Sequence, residues 1–98
     1  MPELEKDIER KLVAMVKRHG GLCLKWVCPG WVGVPDRIIL LPGGCVMFVE
    51  LKRPHGGRLS KMQVWWAKKL IELDFVHCVI WNETDLKMFE RLIVEAKA

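Results

Sequence analysis

The sequence has no long hydrophobic run. Of its 98 residues 51% are apolar, but they occur in segments far shorter than the roughly 20 residues that a membrane-spanning helix needs. The first six residues are charged and helix-like, which excludes a signal peptide. We therefore expect a cytoplasmic protein with no membrane partner, folded as one domain over residues 1–98 around a single hydrophobic core.

The sequence also lacks the cysteine and histidine spacing of a structural zinc site. Its four cysteines contain no C-x-x-C pair, and no paired histidines lie beside them. Three of the four lie in apolar, strand-like runs, which is typical of buried free thiols in a reducing compartment. We expect four unpaired thiols, at Cys23, Cys28, Cys45 and Cys78.

Positive charge is concentrated in one part of the chain. The formal net charge is +4, residues 50–70 carry a net charge of +5, and residues 71–98 carry −3. A local basic surplus favours a polyanionic partner, with nucleic acid as the leading class. The candidate contacts to DNA are Lys25, Arg37, Arg53, Arg58, Ser60 and Lys61.

Hydrophobic periodicity predicts helices alternating with short strands. Apolar residues at helical spacing predict helices over residues 3–18, from Ser60 to about residue 73, and after Asn82 or Thr84. Runs rich in β-branched residues predict strands at 22–28, 38–41, 46–49 and 75–81. The order α-β-β-β-α-β-α joins an antiparallel hairpin to a parallel crossover. We expect an α/β fold with a mixed central β-sheet flanked by helices.

The predicted hairpin brings charged residues together. Pro42-Gly-Gly44 is a strong turn signal, and a turn centred on Gly43 places Asp36 and Glu50 directly opposite each other. Their Cβ atoms would be roughly 4.5–5.5 Å apart. Lys52 shares the face of Glu50, two residues further along the strand. Two carboxylates and an ammonium at the open end of a hairpin suit a divalent cation and a phosphate.

Other side chains allow two interpretations each. Ser60-x-x-Gln63 matches a capping box, so Gln63 has either a local capping role or a role in the site. Glu9, on the first helix, is either a solvated acid or a member of the site. Trp31 is either a core plug, which we favour slightly, or an exposed contact for a partner or a base. Trp65 falls off the apolar stripe of its helix and is expected to be exposed.

The element order and three motifs resemble the VRR-NUC family of nucleases. The motifs are Gly33-Val-Pro-Asp36-Arg37, Phe48-Val-Glu50-Leu-Lys52-Arg-Pro54 and Leu59-Ser-x-x-Gln63. The resemblance runs from about residue 5 to the last strand. It implies a restriction-endonuclease-like core of the PD-(D/E)xK superfamily, in a minimal stand-alone member of the type typical of bacteriophages.

The resemblance also implies a metal site. Asp36 and Glu50, with the backbone carbonyl of Leu51, match the family's ligands for Mg²⁺ or Mn²⁺, and Lys52 matches its lysine. That lysine would orient or deprotonate the attacking water, or stabilise charge on the phosphate. Gln63 matches the glutamine that follows it.

The family's acid on the first helix is matched best by Glu9, with Glu5 as the alternative. If that acid turns inward, it becomes a metal ligand and a second cation can bind.

The expected function is a metal-dependent, structure-specific endodeoxyribonuclease. A homodimer would present two active sites to branched DNA such as a four-way (Holliday) junction, in a bacterial host cell if the protein is phage-encoded. One alternative is a flap or single-strand nuclease. Another, from a different class, is a non-catalytic nucleic-acid-binding module.

Overall fold

Four β-strands and three α-helices form the fold in the predicted order α-β-β-β-α-β-α. The structure is a computed structural model, and it describes residues 5–97. The elements are α1 (Glu5–Arg18), β1 (Leu22–Lys25), β2 (Arg37–Leu41), β3 (Cys45–Leu51), α2 (Lys61–Glu72), β4 (Val76–Ile80) and α3 (Glu83–Lys97). Residues 3 and 4 of the predicted first helix lie outside the described residues.

The sheet is mixed, as predicted, with the strand order β1-β2-β3-β4. β1 pairs with β2 and β2 with β3 in antiparallel fashion, while β3 and β4 are parallel and joined by α2. The β2–β3 hairpin turns through Pro42, Gly43 and Gly44. Both glycines have positive φ, +85° and +75°, a conformation that residues with a Cβ rarely adopt. Leu41 pairs with Cys45 directly beside the turn, so the turn is centred on Gly43.

One face of the sheet carries the hydrophobic core. Alternate residues of β3, namely Met47, Val49 and Leu51, join the cluster of buried side chains on α1 and α3, because successive side chains of a strand point to opposite faces. The core side chains that are at most 2% exposed are Ile8, Leu12, Met15, Val16, Ile39, Met47, Val49, Ile80, Phe89 and Ile93.

The other face of the sheet lies beneath α2, which packs against β4. Phe48 lies on this face and contacts the rings of Trp26 and Phe75, at centroid distances of 5.2 and 5.3 Å. Glu50 is two residues further along β3 and therefore points to the same face. The candidate site thus forms on the side of the sheet opposite the α1–α3 core.

The four cysteines are free thiols, as predicted, but they are half-buried. Burial raises the pKa of the Cys23 thiol to about 11 and raises that of Cys78 as well. These two thiols therefore stay protonated at neutral pH and are poor nucleophiles. Within residues 5–97 no helix is both long and apolar enough to cross a membrane.

The side chain of Leu12 offers a test of the core. It is fully buried in the α1–α3 cluster, so Leu12→Ala should lower the free energy of unfolding by about 2–5 kcal/mol, since it removes buried methyl groups and leaves a cavity. The measurement is urea unfolding followed by circular dichroism. Leu22→Ala is the matched control, because Leu22 is 59% exposed, and it should change stability by less than about 1 kcal/mol. Equal losses for the two variants would contradict this packing.

Candidate active site

Two carboxyl groups meet at the open end of the β2–β3 hairpin. The register pairs Arg37 with Val49, and continuing it by one residue sets Asp36 opposite Glu50, as the turn predicts. Their carboxyl groups are close enough for Asp36 to act on Glu50 through a hydrogen bond and through its charge. Asp36 is half-buried. Glu50 is only 2% exposed, and among the described residues it is the one polar or charged side chain that is buried. A buried acid in contact with a second acid has no role in apolar packing.

Backbone bonds hold Asp36 in place. Its carbonyl accepts a hydrogen bond from the Trp26 N–H at 3.1 Å, which extends the β1–β2 pairing. Its carboxylate Oδ2 accepts a second one from the Leu51 N–H at 2.7 Å. The main chain and the side chain of Asp36 thus tie together the ends of three strands.

The carbonyl of Leu51 lies on the same edge of β3 as its N–H, because both groups of one strand residue point to the same neighbour. In the continued register its opposite residue is Pro35, which has no N–H to donate. At the edge of β3 that faces the carboxyl pair, the carbonyl oxygen of Leu51 therefore receives no backbone hydrogen bond from the residue opposite it.

The environment of Glu50 favours its neutral form. Burial is the main cause, and the hydrogen bond and the negative charge of Asp36 add to it, so that the pKa of Glu50 rises from 4.5 to about 8. The ammonium of Lys52 acts in the opposite direction and Glu5 in the same direction. Without a cation, Glu50 therefore holds a proton at neutral pH.

Gln63 completes the cap of α2 and also contacts the carboxyl pair. Its Oε1 accepts from the Ser60 N–H at 2.8 Å and its own N–H donates to Ser60 Oγ at 3.1 Å, which completes the capping box of α2. Its Nε2 donates to Glu50 Oε1 at 3.1 Å. Because Oε1 is fixed by the cap, the amide points its other end at the carboxyl pair.

Lys52 follows the last residue of β3 and is half-buried. Its N–H donates to the carbonyl of Ile80 at 3.1 Å, which continues the parallel ladder and fixes the backbone from which its side chain leaves. The charge of Lys52 acts on Glu50. Asp36, Glu50, Lys52 and Gln63 are thus brought together at one end of the sheet.

The acids of α1 are placed differently. Glu9 Oε2 accepts from Arg37 Nε at 2.9 Å, and Arg37 points to the α1 face of the sheet, with its Nη1 on the carbonyl of Cys23 at 3.1 Å. Glu5 is the α1 acid whose charge acts on Glu50. Both acids line an open cleft of about 370 Å³ that Asp36 and Lys25 also line. Within residues 5–97 no three acid, histidine or cysteine side chains converge on one metal position.

Most of the predicted DNA contacts lie at the surface near this end of the sheet. The side chain of Arg37, in contrast, is only 12% exposed, because it is engaged by Glu9. The exposed residues are Lys25, Arg53, Arg58, Ser60 and Lys61.

The loop between β1 and β2 packs directly on α2. At Gly33, where φ is +79°, a Cβ would lie 2.6 Å from Met62 Cβ and 3.0 Å from the backbone nitrogen of Gln63, so a side chain there would push the loop off the helix. Trp66 Nε1 donates to the carbonyl of Val32 at 3.0 Å. Sequence reasoning missed this packing, although Gly33 belongs to a motif that it had singled out.

The favoured interpretation of Trp31 as a core plug is wrong. Trp31 is 55% exposed because a tight turn from Cys28, closed by the Trp31 N–H, holds it at the surface. Trp65 is 41% exposed, as predicted.

Comparison with known proteins identifies a relative from a bacteriophage. No family model matches the chain. The chain is similar to a protein named "Putative nuclease p44" from Acyrthosiphon pisum secondary endosymbiont phage 1, with 50% identity over 50 residues. The match covers 51% of this chain and 54% of that protein, so it spans about half the length of the relative.

The raised pKa of Glu50 predicts a pH-dependent stability in metal-free buffer. Between pH 4.5 and about 8 the folded protein retains a proton that the unfolded chain has released. The free energy of unfolding should therefore fall as the pH rises through this interval. Glu50→Gln imitates the protonated acid, so it should flatten this slope and stabilise the protein by roughly 2–4 kcal/mol above pH 8.

The measurement is urea unfolding at several pH values in EDTA, with Glu72→Gln as the control because Glu72 is an exposed acid. A slope that is unchanged in Glu50→Gln would show that the acid is not held in its neutral form.

Proposed function

We propose that this chain is a metal-dependent endodeoxyribonuclease of the VRR-NUC kind, which hydrolyses phosphodiester bonds at the end of the β2–β3 hairpin. The observation that carries the proposal is the contact of the buried Glu50 with Asp36, and the charge of Lys52 also acts on Glu50. The name of the phage relative supports the same class of activity.

The residues at the carboxyl pair fit Mg²⁺ or Mn²⁺. Both ions prefer hard oxygen ligands, and the carboxylates of Asp36 and Glu50 with the carbonyl of Leu51 provide such a set. Burial and the neighbouring Asp36 raise the pKa of Glu50 despite the ammonium of Lys52, and a bound cation would supply positive charge in place of the proton. When bound, the ion neutralises charge on the phosphate and activates water. Glu5 or Glu9, on the adjacent cleft, would be the further acid.

The chain's own residues prepare this site for hydrolysis. The Leu51 N–H fixes the carboxylate of Asp36, and the Gln63 amide fixes that of Glu50, so both acids are oriented before substrate arrives. Lys52 would orient the attacking water and stabilise the negative charge that develops on the phosphate. The exposed residues Arg53, Arg58 and Lys61 would contact the DNA backbone, where arginine and lysine provide affinity without reading sequence.

The resemblance extends the proposal to the substrate and the assembly. A homodimer would place two sites on branched DNA, and two-fold symmetry would give paired nicks at a four-way junction in the cytoplasm of a bacterial host. A gel assay with a four-way junction, a flap, a duplex and a single strand, each with and without Mn²⁺, separates this substrate class from the alternatives.

Loss of the metal or of the site residues should abolish cleavage. In EDTA no product should form, and Glu50→Ala or Lys52→Ala should lower the cleavage rate by about 10²–10⁴-fold, the usual contribution of a positioned charged group. The measurement is single-turnover cleavage of a labelled DNA substrate. Lys87→Ala is the control, because Lys87 is an exposed lysine on α3, and it should cleave at the wild-type rate. Cleavage that survives all three treatments would overturn the assignment.

A further comparison separates the two roles of Gln63. Ser60→Ala removes the hydroxyl that accepts from the Gln63 N–H, and it should lower the free energy of unfolding by about 1 kcal/mol and slow cleavage only by the loss of one predicted DNA contact. Gln63→Ala removes the contact with Glu50 as well, so it should slow cleavage in addition. Equal effects of the two variants on the cleavage rate would mean that Gln63 acts only as a cap.

A further inference from the structure

Two tryptophans stack on each other at the surface. Trp31 is 55% exposed and Trp65 is 41% exposed. Their ring centroids are 6.1 Å apart and their planes differ by 17°. The ring of Trp66 meets both edge-on, at 5.5 Å and 5.2 Å. Exposed rings of this size give up the stabilisation that burial would provide, and such apolar surface usually marks a binding site.

The backbone that carries Trp31 is held on both sides of the ring. The Trp31 N–H donates to the Cys28 carbonyl at 3.1 Å, a proline follows Cys28, and Gly30 has a φ of +87°, so residues 28–31 form a type II turn. On the other side, Trp66 Nε1 donates to the carbonyl of Val32 at 3.0 Å. The backbone at Trp31 is therefore held in one conformation at the surface. This reduces the conformational entropy that the protein loses when a ligand binds.

The same two segments hold the tryptophan pair and the carboxyl pair. The loop that carries Trp31 continues into Asp36 and packs on α2 at Gly33. On α2, Gln63 contacts Glu50, and Trp66, which contacts both exposed rings, follows it by one helical turn. The loop and α2 therefore fix the position of the tryptophan pair relative to the carboxyl pair, where the proposed site would hold a phosphate.

The charge around the pair suits a polynucleotide. Lys69 Nζ lies 5.8 Å from the centroid of the Trp65 ring, and Lys61 and Lys68 are exposed on the same helix. The acid on this helix, Glu72, pairs with Lys69 at 3.5 Å, which leaves α2 with a net positive charge. Aromatic rings beside basic side chains are the usual composition of surfaces that bind unpaired nucleotides.

We propose that the outer face of the Trp31 ring stacks an unpaired base of the DNA substrate. The base lies on this outer face because a ring inserted between the two tryptophans would need about twice the 3.4 Å stacking repeat, more than the 6.1 Å between their centroids. Trp65 supports Trp31 from behind as a positioning residue. The inference rests on the proposed nuclease function. Among the candidate substrates it favours DNA with unpaired nucleotides beside the cleaved bond, such as a flap, over the fully paired four-way junction that the resemblance implies.

Binding in EDTA tests the stack without cleavage. The probes are fluorescent flap substrates with an abasic residue at each of the first four unpaired positions in turn, an intact flap, and a fully paired duplex, with affinity measured by anisotropy. Trp31→Ala should bind the intact flap about 10-fold more weakly. At one position the abasic flap should bind wild type and Trp31→Ala equally, and Trp31→Phe should lie between them on the intact flap. Affinity for the duplex should not change.

Ile71→Ala is the matched control, because Ile71 is a 57% exposed apolar residue on α2, the helix that carries Trp65, and it should bind all probes like wild type. An equal loss on intact and abasic flaps, or no loss on either, overturns the proposal. So does a change in sedimentation of Trp31→Ala, which would make the pair a contact between copies of this chain. These assays contain no metal, so they test the stacking proposal separately from the nuclease proposal. The stacking proposal fails if binding does not depend on the base even though wild type cleaves DNA. Absence of cleavage, in contrast, would not change a base-dependent difference in binding.

Discussion

The pairing of β2 with β3 determines the candidate site. The glycine turn sets the register, and the register places Asp36 opposite Glu50 while it sends the neighbouring Val49 into the core on the other face. The contact of the two carboxyl groups disfavours the charged form of Glu50, whose raised pKa is caused mainly by burial and further by Asp36. It persists because sliding the strands by one residue would expose Val49 and its buried neighbours to water and bury charge in their place. Hydrophobic packing on one face of the sheet thus maintains the contact between the carboxyl groups on the other face.

Helix α2 connects this chemistry to the rest of the fold. A single amide, that of Gln63, satisfies the helix cap through its oxygen and contacts Glu50 through its nitrogen. The first turn of the same helix receives the β1–β2 loop at Gly33. The positions of the helix, the loop and the buried acid are therefore coupled, so a shift of α2 would change the contacts of both the loop and Glu50.

The sequence predicted what depends on local order. The element order, the turn centre and the capping box follow from periodicity, glycine chemistry and a three-residue spacing, and each is present in the structure. What it could not predict depends on contacts between distant segments. The ion pair of Glu9 with Arg37 joins residues 28 positions apart, and the packing at Gly33 is a matter of Cβ clearance. The surface position of Trp31 likewise involves contacts with distant residues, namely Trp65 and Trp66 on α2.

The hairpin register also bears on how the chain can change length. A residue inserted within β2 or β3 would reverse the faces of all residues beyond it and separate Asp36 from Glu50. The turn itself is different, because a Cβ added at Gly43 or Gly44 would have no neighbouring atom within 4 Å. Extra residues there would project into solvent and leave the pairing of β2 with β3 intact. We expect insertions and deletions among relatives to accumulate at the turn and to be absent from the two strands that it joins.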